Sequence, residues 1–470
     1  MPFDNATAGL APVDKPRTAV WPPIPERVQV AIVFLPVLFA VIFIFFFGVD
    51  LPFADEWAVV PAVMHMESGH LLWSDIYRQH NEAVMPVSMA VTLLLAKATH
   101  YDVLAEAYAS FACLAVSLAV LFAFFRRVQR TLPIPTLAFL PIAAILLGWR
   151  NHDGILWGAG LYINLGLMLL LLLVWAAIRT ADSPWFFGLA ILMAVLATFS
   201  FGSGLLAWPV GLAILFFPAD GRRSLLRMLL WTTVAVAITL VYFNGYIIHR
   251  VPWPTGLGFV LGHPVQAAEY ALVYTGSALG ASPRVDACIN IVLILLFLPA
   301  AWIVVRNAEL RKALLPFAAM HAFLVLTIPP LLLGRLGLGV DQPYYASRYA
   351  PMAAMGPVGI YVFLLALACR PDAAPLASSM TAWRNVLAIA LVVIGVGVMG
   401  GYEEGLVYAW LDHPKKAACR EVLKDYRILD DGHLTCFYPD YEVGRRLAFW
   451  LDEYHLSVFR ERPGTPMAGK

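Results

Sequence analysis

Long apolar runs constrain this chain more than any other feature of its sequence. Of its 470 residues, 61% are hydrophobic and only 13% are charged. Several of its apolar runs approach the roughly 20 residues that a helix needs to cross a bilayer. An outer-membrane barrel would show short alternating segments instead. We therefore predict an all-α polytopic membrane protein.

We predict about eleven membrane-spanning helices in this sequence. They cover residues 28–49, 103–125, 133–149, 156–178, 184–200, 204–218, 226–247, 286–305, 313–333, 349–369 and 384–402. The first run is long and is followed by bulky residues, whereas a signal peptide has a short apolar region and a small-residue cleavage site. We therefore expect the first run to remain in the protein as a span.

The distribution of basic residues predicts the orientation of these spans. Arginine or lysine occurs in each of the connections 126–130, 179–182, 220–227, 306–312 and 370–384. Short connections of this kind are typical of the cytoplasmic side. This predicts a cytoplasmic segment 1–27, a transmembrane domain 28–402, and an outer location for loop 50–102 and tail 403–470. The orientation assumes that the marginal apolar segments 83–98 and 264–279 do not cross the membrane.

The first outer loop contains the densest group of ionisable residues. We expect helices 61–68 and 83–98 to lie at the membrane interface. Pro61 and Gly69 are typical of the start and end of the first helix, and the apolar run 83–98 is short for a span. Asp55 and Glu56 are the candidate catalytic residues, since a carboxylate can accept a proton from an acceptor hydroxyl or amine. Adjacent residues do not face each other on a helix, so we expect separate roles. The alternative is that Asp55 caps a helix, or that both acids solvate the end of the first span.

Polar residues that could bind a substrate occur in three groups on the predicted outer side. They are Arg78, His80, Asn81 and Glu82; Arg150 and Asn151; and Arg335, Tyr345, Arg348 and Tyr349. An arginine at membrane depth usually has a partner, and a guanidinium can grip two oxygens of a lipid-linked phosphate, which singles out Arg348. The alternatives are an ordinary polar loop for the first group, and a snorkelling arginine between interfacial tyrosines for Arg348.

The sequence indicates no cofactor with certainty. Asp55, Glu56 and His80 could bind a divalent cation such as Mg²⁺ or Mn²⁺, but no zinc-type spacing is present. The net charge of +1 argues against nucleic acid as a partner.

The tail 403–470 is the segment that could fold in water, and we predict a small α/β unit. Helices are expected near 412–425 and 441–455, with a strand at 433–439 between them. Cys419 and Cys436 could form a disulfide there if the tail is in an oxidising compartment. The sequence leaves this pairing open.

Four short motifs occur along the chain in a definite order. They are Asp55–Trp57, His80–Glu82, Gly204–Pro209 and Ser347–Tyr349. In this order they resemble the GT-C class of membrane glycosyltransferases, which includes protein O-mannosyltransferases and lipid A aminoarabinose transferases, and above all uncharacterised bacterial relatives. In those relatives His-Asn-Glu is followed by His-Arg, whereas this chain has Ala83 and Val84, so no role for that basic pair carries over.

The resemblance implies a GT-C-like helical bundle in the bacterial inner membrane. It implies transfer of a hexose or pentose from a polyprenyl-phosphate-linked donor to an extracytoplasmic glycan, lipid or protein, with inversion and with Asp55 as the base. Two other functions remain open. A transporter or flippase of lipid-linked sugars would have ionisable residues near mid-membrane. A non-catalytic subunit of an envelope polysaccharide assembly would retain the fold without the chemistry.

Overall fold

The computed structural model describes residues 24–218, 223–248, 251–280, 282–369 and 380–460. Residues 1–23 of the predicted cytoplasmic segment and residues 461–470 of the predicted tail lie outside this range. Most of the described chain is helical, and its sheet has two short strands, β1 (Gln79–His80) and β2 (Ala83–Val84).

The α-helices of the described residues are, in chain order, α1 (Glu26–Val33), α2 (Leu35–Phe47), α3 (Val60–Glu67), α4 (Trp73–Ile76), α5 (Pro86–Thr99), α6 (Val103–Gln129), α7 (Leu140–Leu146), α8 (His152–Leu156), α9 (Leu161–Ala177), α10 (Pro184–Thr198), α11 (Ala207–Phe216), α12 (Leu225–Phe243), α13 (Leu257–Gly262), α14 (Pro264–Gly276), α15 (Pro283–Arg306), α16 (Ala308–Arg335), α17 (Gln342–Tyr345), α18 (Ala350–Ala353), α19 (Met355–Cys369), α20 (Met380–Lys424), α21 (Asp431–Leu434) and α22 (Tyr441–Glu453). Short 3₁₀-helices at Ala54–Ala58, Trp149–Asn151, Gly158–Gly160 and Ser347–Tyr349 lie among them.

Eight helical segments of the described chain are long and apolar enough to cross a membrane. They are Glu26–Phe47, Val103–Gln129, Gly158–Ala177, Leu225–Phe243, Pro283–Arg306, Ala308–Leu338, Ser347–Cys369 and Ala382–Lys424. The other three predicted spans correspond to shorter helices, α7, α10 and α11. The chain is therefore an all-α, multi-pass membrane protein, while the predicted number of eleven crossings stays a prediction.

Helix α19 lies in the interior of the bundle. All of its residues from Met355 to Ala368 are buried, and it packs against α15, α16 and α20. Its sequence is apolar on every side, which is typical of a helix enclosed by other helices. Helix α12 is the opposite case, because many of its apolar side chains are exposed, for example Leu240 at 69%. In a membrane bundle such a surface contacts lipid.

A second hydrophobic core, separate from that of the bundle, joins loop 50–102 to the tail. The buried ring of Trp57 lies 5.3 Å from the ring of Phe437, and α22 packs against α3. Arg460 adds ion pairs of 2.8 Å to Asp50 and to Asp102. The predicted loop helices 61–68 and 83–98 correspond to α3 and α5 in this layer. Loop 50–102 and the tail therefore form one packed unit.

The described part of the tail is helical rather than α/β. The predicted helices near 412–425 and 441–455 are confirmed as the end of α20 and as α22. Helix α20 runs without interruption across the predicted boundary at residue 402. The strand predicted at 433–439 is wrong, because α21 occupies the first part of that segment. The Asp430 carboxylate accepts a hydrogen bond from the backbone N–H of His433 and caps this short helix.

The two cysteines of the tail are joined in a disulfide. Cys419 lies near the end of α20 and Cys436 follows α21, at a sequence separation of 17. The cross-link ties the turn around α21 to α20. The pairing that the sequence left open is therefore present in the structure.

Candidate active site

The segment that follows the first span turns sharply before it forms the 3₁₀-helix Ala54–Ala58. Ala54 has a φ of +47°, a left-handed conformation that is uncommon for a residue other than glycine. The Glu56 carboxylate fixes the segment, since it accepts hydrogen bonds from the backbone N–H groups of Phe53 at 2.7 Å and Ala159 at 3.1 Å. Glu56 is 1% exposed, whereas the side chain of its neighbour Asp55 is 44% exposed. The two adjacent carboxylates therefore have different environments.

A β-hairpin brings His80 to Asp55. Strands β1 and β2 pair across a two-residue turn in which Asn81 has a φ of +50°, a conformation that asparagine tolerates and that tight hairpins use. The side chain of Gln79 holds the hairpin beside the end of α12, because it donates to the Ile247 carbonyl at 2.7 Å and accepts from the Ile247 N–H at 2.9 Å. In this position His80 Nε2 lies 3.7 Å from Asp55 Oδ2.

Two arginines from the second half of the chain lie near the same carboxylate. Arg335, at the end of α16, donates to Glu82 Oε2 at 2.5 Å. Arg348, in the 3₁₀-helix Ser347–Tyr349, has its Nη1 4.0 Å from Asp153 Oδ2. Both guanidinium groups have a carboxylate neighbour, and both remain partly exposed, at 22% and 32%. Four separate segments of the chain therefore contribute side chains to the site.

These charges keep Asp55 ionised at neutral pH. The contact with His80 lowers the pKa of Asp55, burial opposes that effect, and the positive charges of Arg348 and Arg335 lower it further. A half-exposed, ionised carboxylate within electrostatic range of two guanidinium groups can accept a proton while the cations bind an anion.

Behind Arg348, charges of alternating sign lead into the protein. Asp153 Oδ1 lies 3.3 Å from His152 Nδ1, His152 Nε2 lies 3.7 Å from Glu404 Oε1, and Glu404 Oε2 lies 3.2 Å from Arg150 Nη1. Burial raises the pKa of Asp153, but His152 and Arg348 outweigh it, so the pKa falls to about 2. Asp153 therefore stays ionised and can hold Arg348 in place.

The structure brings only part of the predicted set together. Asp55, His80, Glu82, Arg335 and Arg348 share the site described above. Arg150 and Asn151 are each 2% exposed, and Arg150 is held by Glu404 and by the Tyr344 carbonyl. Both are therefore buried in the interior, where Glu404 and the Tyr344 carbonyl hold Arg150.

The remaining predicted residues lie around the site. Arg78 is partly buried and donates to the Ala58 carbonyl at 2.6 Å, so it supports the 3₁₀-helix that carries Asp55. Asn81 forms the hairpin turn. Tyr345 is 72% exposed, and Tyr349 lies within 5.5 Å of the Arg348 guanidinium.

Glu106 and Glu404 belong to none of the predicted site motifs. Both are acids inside helices that are otherwise largely apolar, and an ionisable residue in such a helix indicates a functional site. Glu106 lies next to Glu56, because a Cβ added to Gly158 would come within 2.6 Å of Glu56 Oε1 and 2.8 Å of Glu106 Oε2. Gly158 thus leaves room for two buried carboxylates.

The candidate metal ligands do not form a complete set. Asp55 and His80 are close together, but the Glu56 carboxylate is turned to backbone N–H groups. Among the described residues, no group of three His, Cys, Asp or Glu side chains is arranged to hold a metal ion. The residues present therefore do not fit a site for Mg²⁺ or Mn²⁺ built on these three ligands.

Comparisons with known proteins give one similar structure. No protein-family model and no curated protein matches the chain. The chain is similar to the archaeal oligosaccharyltransferase AglB from Archaeoglobus fulgidus, solved in complex with an inhibitory peptide and a dolichol-phosphate, with a TM-score of 0.48 and 13% identity. The match covers 91% of this chain and 60% of that one, so the chain spans less than two thirds of its length. At this similarity the comparison assigns neither an activity nor residues to this chain.

Proposed function

We propose that this chain is an integral membrane glycosyltransferase that moves a sugar from a polyprenyl-phosphate-linked donor to an extracytoplasmic glycan, lipid or protein. The observation that carries the proposal is the half-exposed Asp55 carboxylate beside His80, within electrostatic range of Arg348 and Arg335. Transfer from a lipid-linked phosphate needs a proton acceptor and cations that stabilise the leaving phosphate. The ordered motifs that resemble GT-C enzymes contain Asp55, His80 and Arg348, which supports the same function.

The reaction is a single displacement at the anomeric carbon. The acceptor hydroxyl or amine attacks this carbon from the side opposite the phosphate, and its proton passes to the Asp55 carboxylate. The bond between the carbon and the phosphate oxygen breaks, and polyprenyl phosphate leaves with the electron pair. Arg348 and Arg335 bind the phosphate oxygens and stabilise the leaving charge. One displacement of this kind inverts the anomeric configuration.

The carboxylates that pair with Arg335 and Arg348 leave these arginines able to bind a phosphate. The Arg335–Glu82 pair is partly exposed, and such pairs contribute only about 0–1 kcal/mol, so a phosphate can replace Glu82 at little cost. Bound phosphate also neutralises the cations that lower the pKa of Asp55. The carboxylate therefore becomes a stronger base once the donor is in place.

Glu56 has a different role from Asp55 in this mechanism. Its buried carboxylate binds the N–H groups of Phe53 and Ala159 and contacts no open surface. We assign it the positioning of the 3₁₀-helix that carries Asp55, with Arg78 holding the same helix at the Ala58 carbonyl.

We place the site on the outer side of a bacterial inner membrane, with a cytoplasmic N-terminus. The basic residues in alternate connections support this orientation. The Cys419–Cys436 disulfide supports an outer tail, because disulfides persist in oxidising compartments. Loop 50–102 shares a hydrophobic core with the tail, so both lie on one side.

The decisive test is Asp55→Asn in membranes supplied with a lipid-linked sugar. We expect transfer to fall by about 10²–10⁴-fold, since the amide cannot accept the proton. Glu67→Gln is the matched control, because Glu67 lies on α3 of the same loop and pairs with the exposed Lys97. Arg348→Ala should raise KM for the donor as well as lower kcat. Transfer by the Asn variant at the rate of the control would remove Asp55 as the base.

The same membranes separate the two alternative functions. A flippase moves the lipid-linked sugar between leaflets without forming a product. A non-catalytic subunit shows no transfer even in the unaltered chain, and Asp55→Asn then changes nothing.

A further inference from the structure

An apolar tip interrupts the polar first loop. Leu71, Leu72 and Trp73 are consecutive and are 37%, 60% and 69% exposed. They follow Gly69, whose φ of +75° turns the chain after α3. Contiguous exposed apolar side chains mark a surface that contacts a membrane or another molecule. We call residues 71–73 the apolar tip.

The apolar tip lies beside the end of a lipid-facing helix. The Trp73 ring stacks on the Tyr77 ring with centroids 5.7 Å apart. The Tyr77 hydroxyl donates to the Val241 carbonyl at 3.0 Å, and Val241 is in the last turn of α12. Only the Tyr77 side chain therefore lies between Trp73 and the last turn of α12.

The exposed surface of α12 continues to this point. Its apolar side chains remain exposed through the last turn and beyond it, at Leu240 (69%), Val241 (50%), Phe243 (50%), Ile247 (61%) and Ile248 (88%). Helix α12 is long and apolar enough to span the membrane, and little of it is buried in the bundle. The apolar tip extends this lipid-facing surface into the first loop.

We propose that the apolar tip inserts into the leaflet at the end of α12 and anchors the first loop to the lipid surface. Tryptophan is enriched at headgroup depth, and interfacial apolar side chains reach about 5–10 Å into the boundary with the acyl chains. The hairpin that carries His80 is held to the same end of α12 through Gln79 and Ile247. Insertion therefore fixes the height of His80, and with it Asp55, relative to the lipid headgroups.

The insertion is measured with a fluorescent label on the full chain in phosphatidylcholine–phosphatidylglycerol vesicles. The three free cysteines are first changed to alanine, at Cys113, Cys288 and Cys369. The label is then attached through Trp73→Cys, or through Phe449→Cys as the matched control. Phe449 is 47% exposed on α22 of the tail.

We expect the label at position 73 to be quenched by nitroxide-bearing lipids at least about twofold more than the label at position 449, and to be protected from aqueous iodide. Equal access of iodide to both labels would overturn the proposal. A label at position 73 that is shielded from iodide but not quenched by the lipids would also overturn it, because a protein partner would then cover the tip.

A second variant tests what the anchor does for the proposed transfer, and this part rests on the proposed function. The double change Leu72→Asp and Trp73→Asp should raise KM for the lipid-linked donor by about tenfold, because acidic side chains do not enter the apolar boundary. Ser74→Asp adds charge beside the tip without removing its apolar side chains, and should have a smaller effect. The label readout needs no activity, so failure of the anchor and failure of the proposed function are distinguishable.

Discussion

Replacing Glu56 with glutamine should remove a pH dependence from the local opening of loop 50–102. Burial raises the pKa of Glu56 from 4.5 to about 8, although hydrogen bonds from Phe53 and Ala159 and the charge of Lys416 oppose this. The Glu106 carboxylate lies on the same side of Gly158 as Glu56, since a Cβ at Gly158 would meet both, so a second acid stands next to the first. The closed loop therefore favours a protonated Glu56.

The sign and size of the effect follow from this pKa. Local opening of the loop exposes Glu56 to water, where its pKa returns to 4.5. Between pH 4.5 and about 8 the closed form holds a proton that the open form has lost. The free energy of opening is therefore highest below pH 4.5 and falls by about 1.4 kcal/mol per pH unit as the pH rises. It levels off above pH 8, after a total loss of about 5 kcal/mol.

Hydrogen exchange of the purified protein between pH 5 and 8.5 measures this dependence. The backbone N–H groups of Phe53 and Ala159 report on the opening, after correction for the intrinsic effect of pH on exchange. In the unaltered chain their opening free energy should fall with rising pH, and in Glu56→Gln it should stay flat. Glu67→Gln should keep the original slope. Equal slopes in the unaltered chain and in Glu56→Gln would show that Glu56 is already ionised in the closed loop.

Two further predictions concern the tail and the site. Changing Cys419 and Cys436 to serine opens a cross-link with a sequence separation of 17, and should lower the free energy of unfolding of the tail by about 3 kcal/mol. Proteolysis of the tail should then begin at lower temperature, and an unchanged onset would contradict the estimate. His80→Ala removes the largest influence that lowers the pKa of Asp55, so the acidic limb of the kcat/KM profile should move to higher pH, with activity kept above neutrality. A limb that stays in place would show that Asp55 is not the titrating base.

The helical bundle could be predicted because membrane spans are encoded locally. A run of apolar residues long enough to cross the bilayer must satisfy its backbone hydrogen bonds within itself, so it forms a helix wherever it lies. Local signals also located α3 and α5, since Pro61 and Gly69 are typical of the two ends of a helix and 83–98 is a largely apolar run. The prediction of a strand at 433–439 was wrong because the Asp430 side chain caps a short helix there.

The site could be predicted only in part, because burial depends on distant partners. Arg150 and Arg348 look alike in the sequence, as both lie beside aromatic residues near the ends of spans. Glu404, which is 254 positions away, encloses Arg150, while Arg348 stays partly exposed. Likewise the distant Ala159 N–H, together with the Phe53 N–H, binds the buried Glu56 carboxylate and separates its role from that of Asp55. No local pattern contains this information.

The core that loop 50–102 shares with the tail also affects how the protein is made. Segments fold in the order in which they leave the ribosome, and this loop is synthesised long before residues 419–460. Trp57 must then remain uncovered while every later helix enters the membrane. We expect the loop to reach its final form as one of the last events of biogenesis, so that a chain interrupted after α19 would insert without ever acquiring a finished loop.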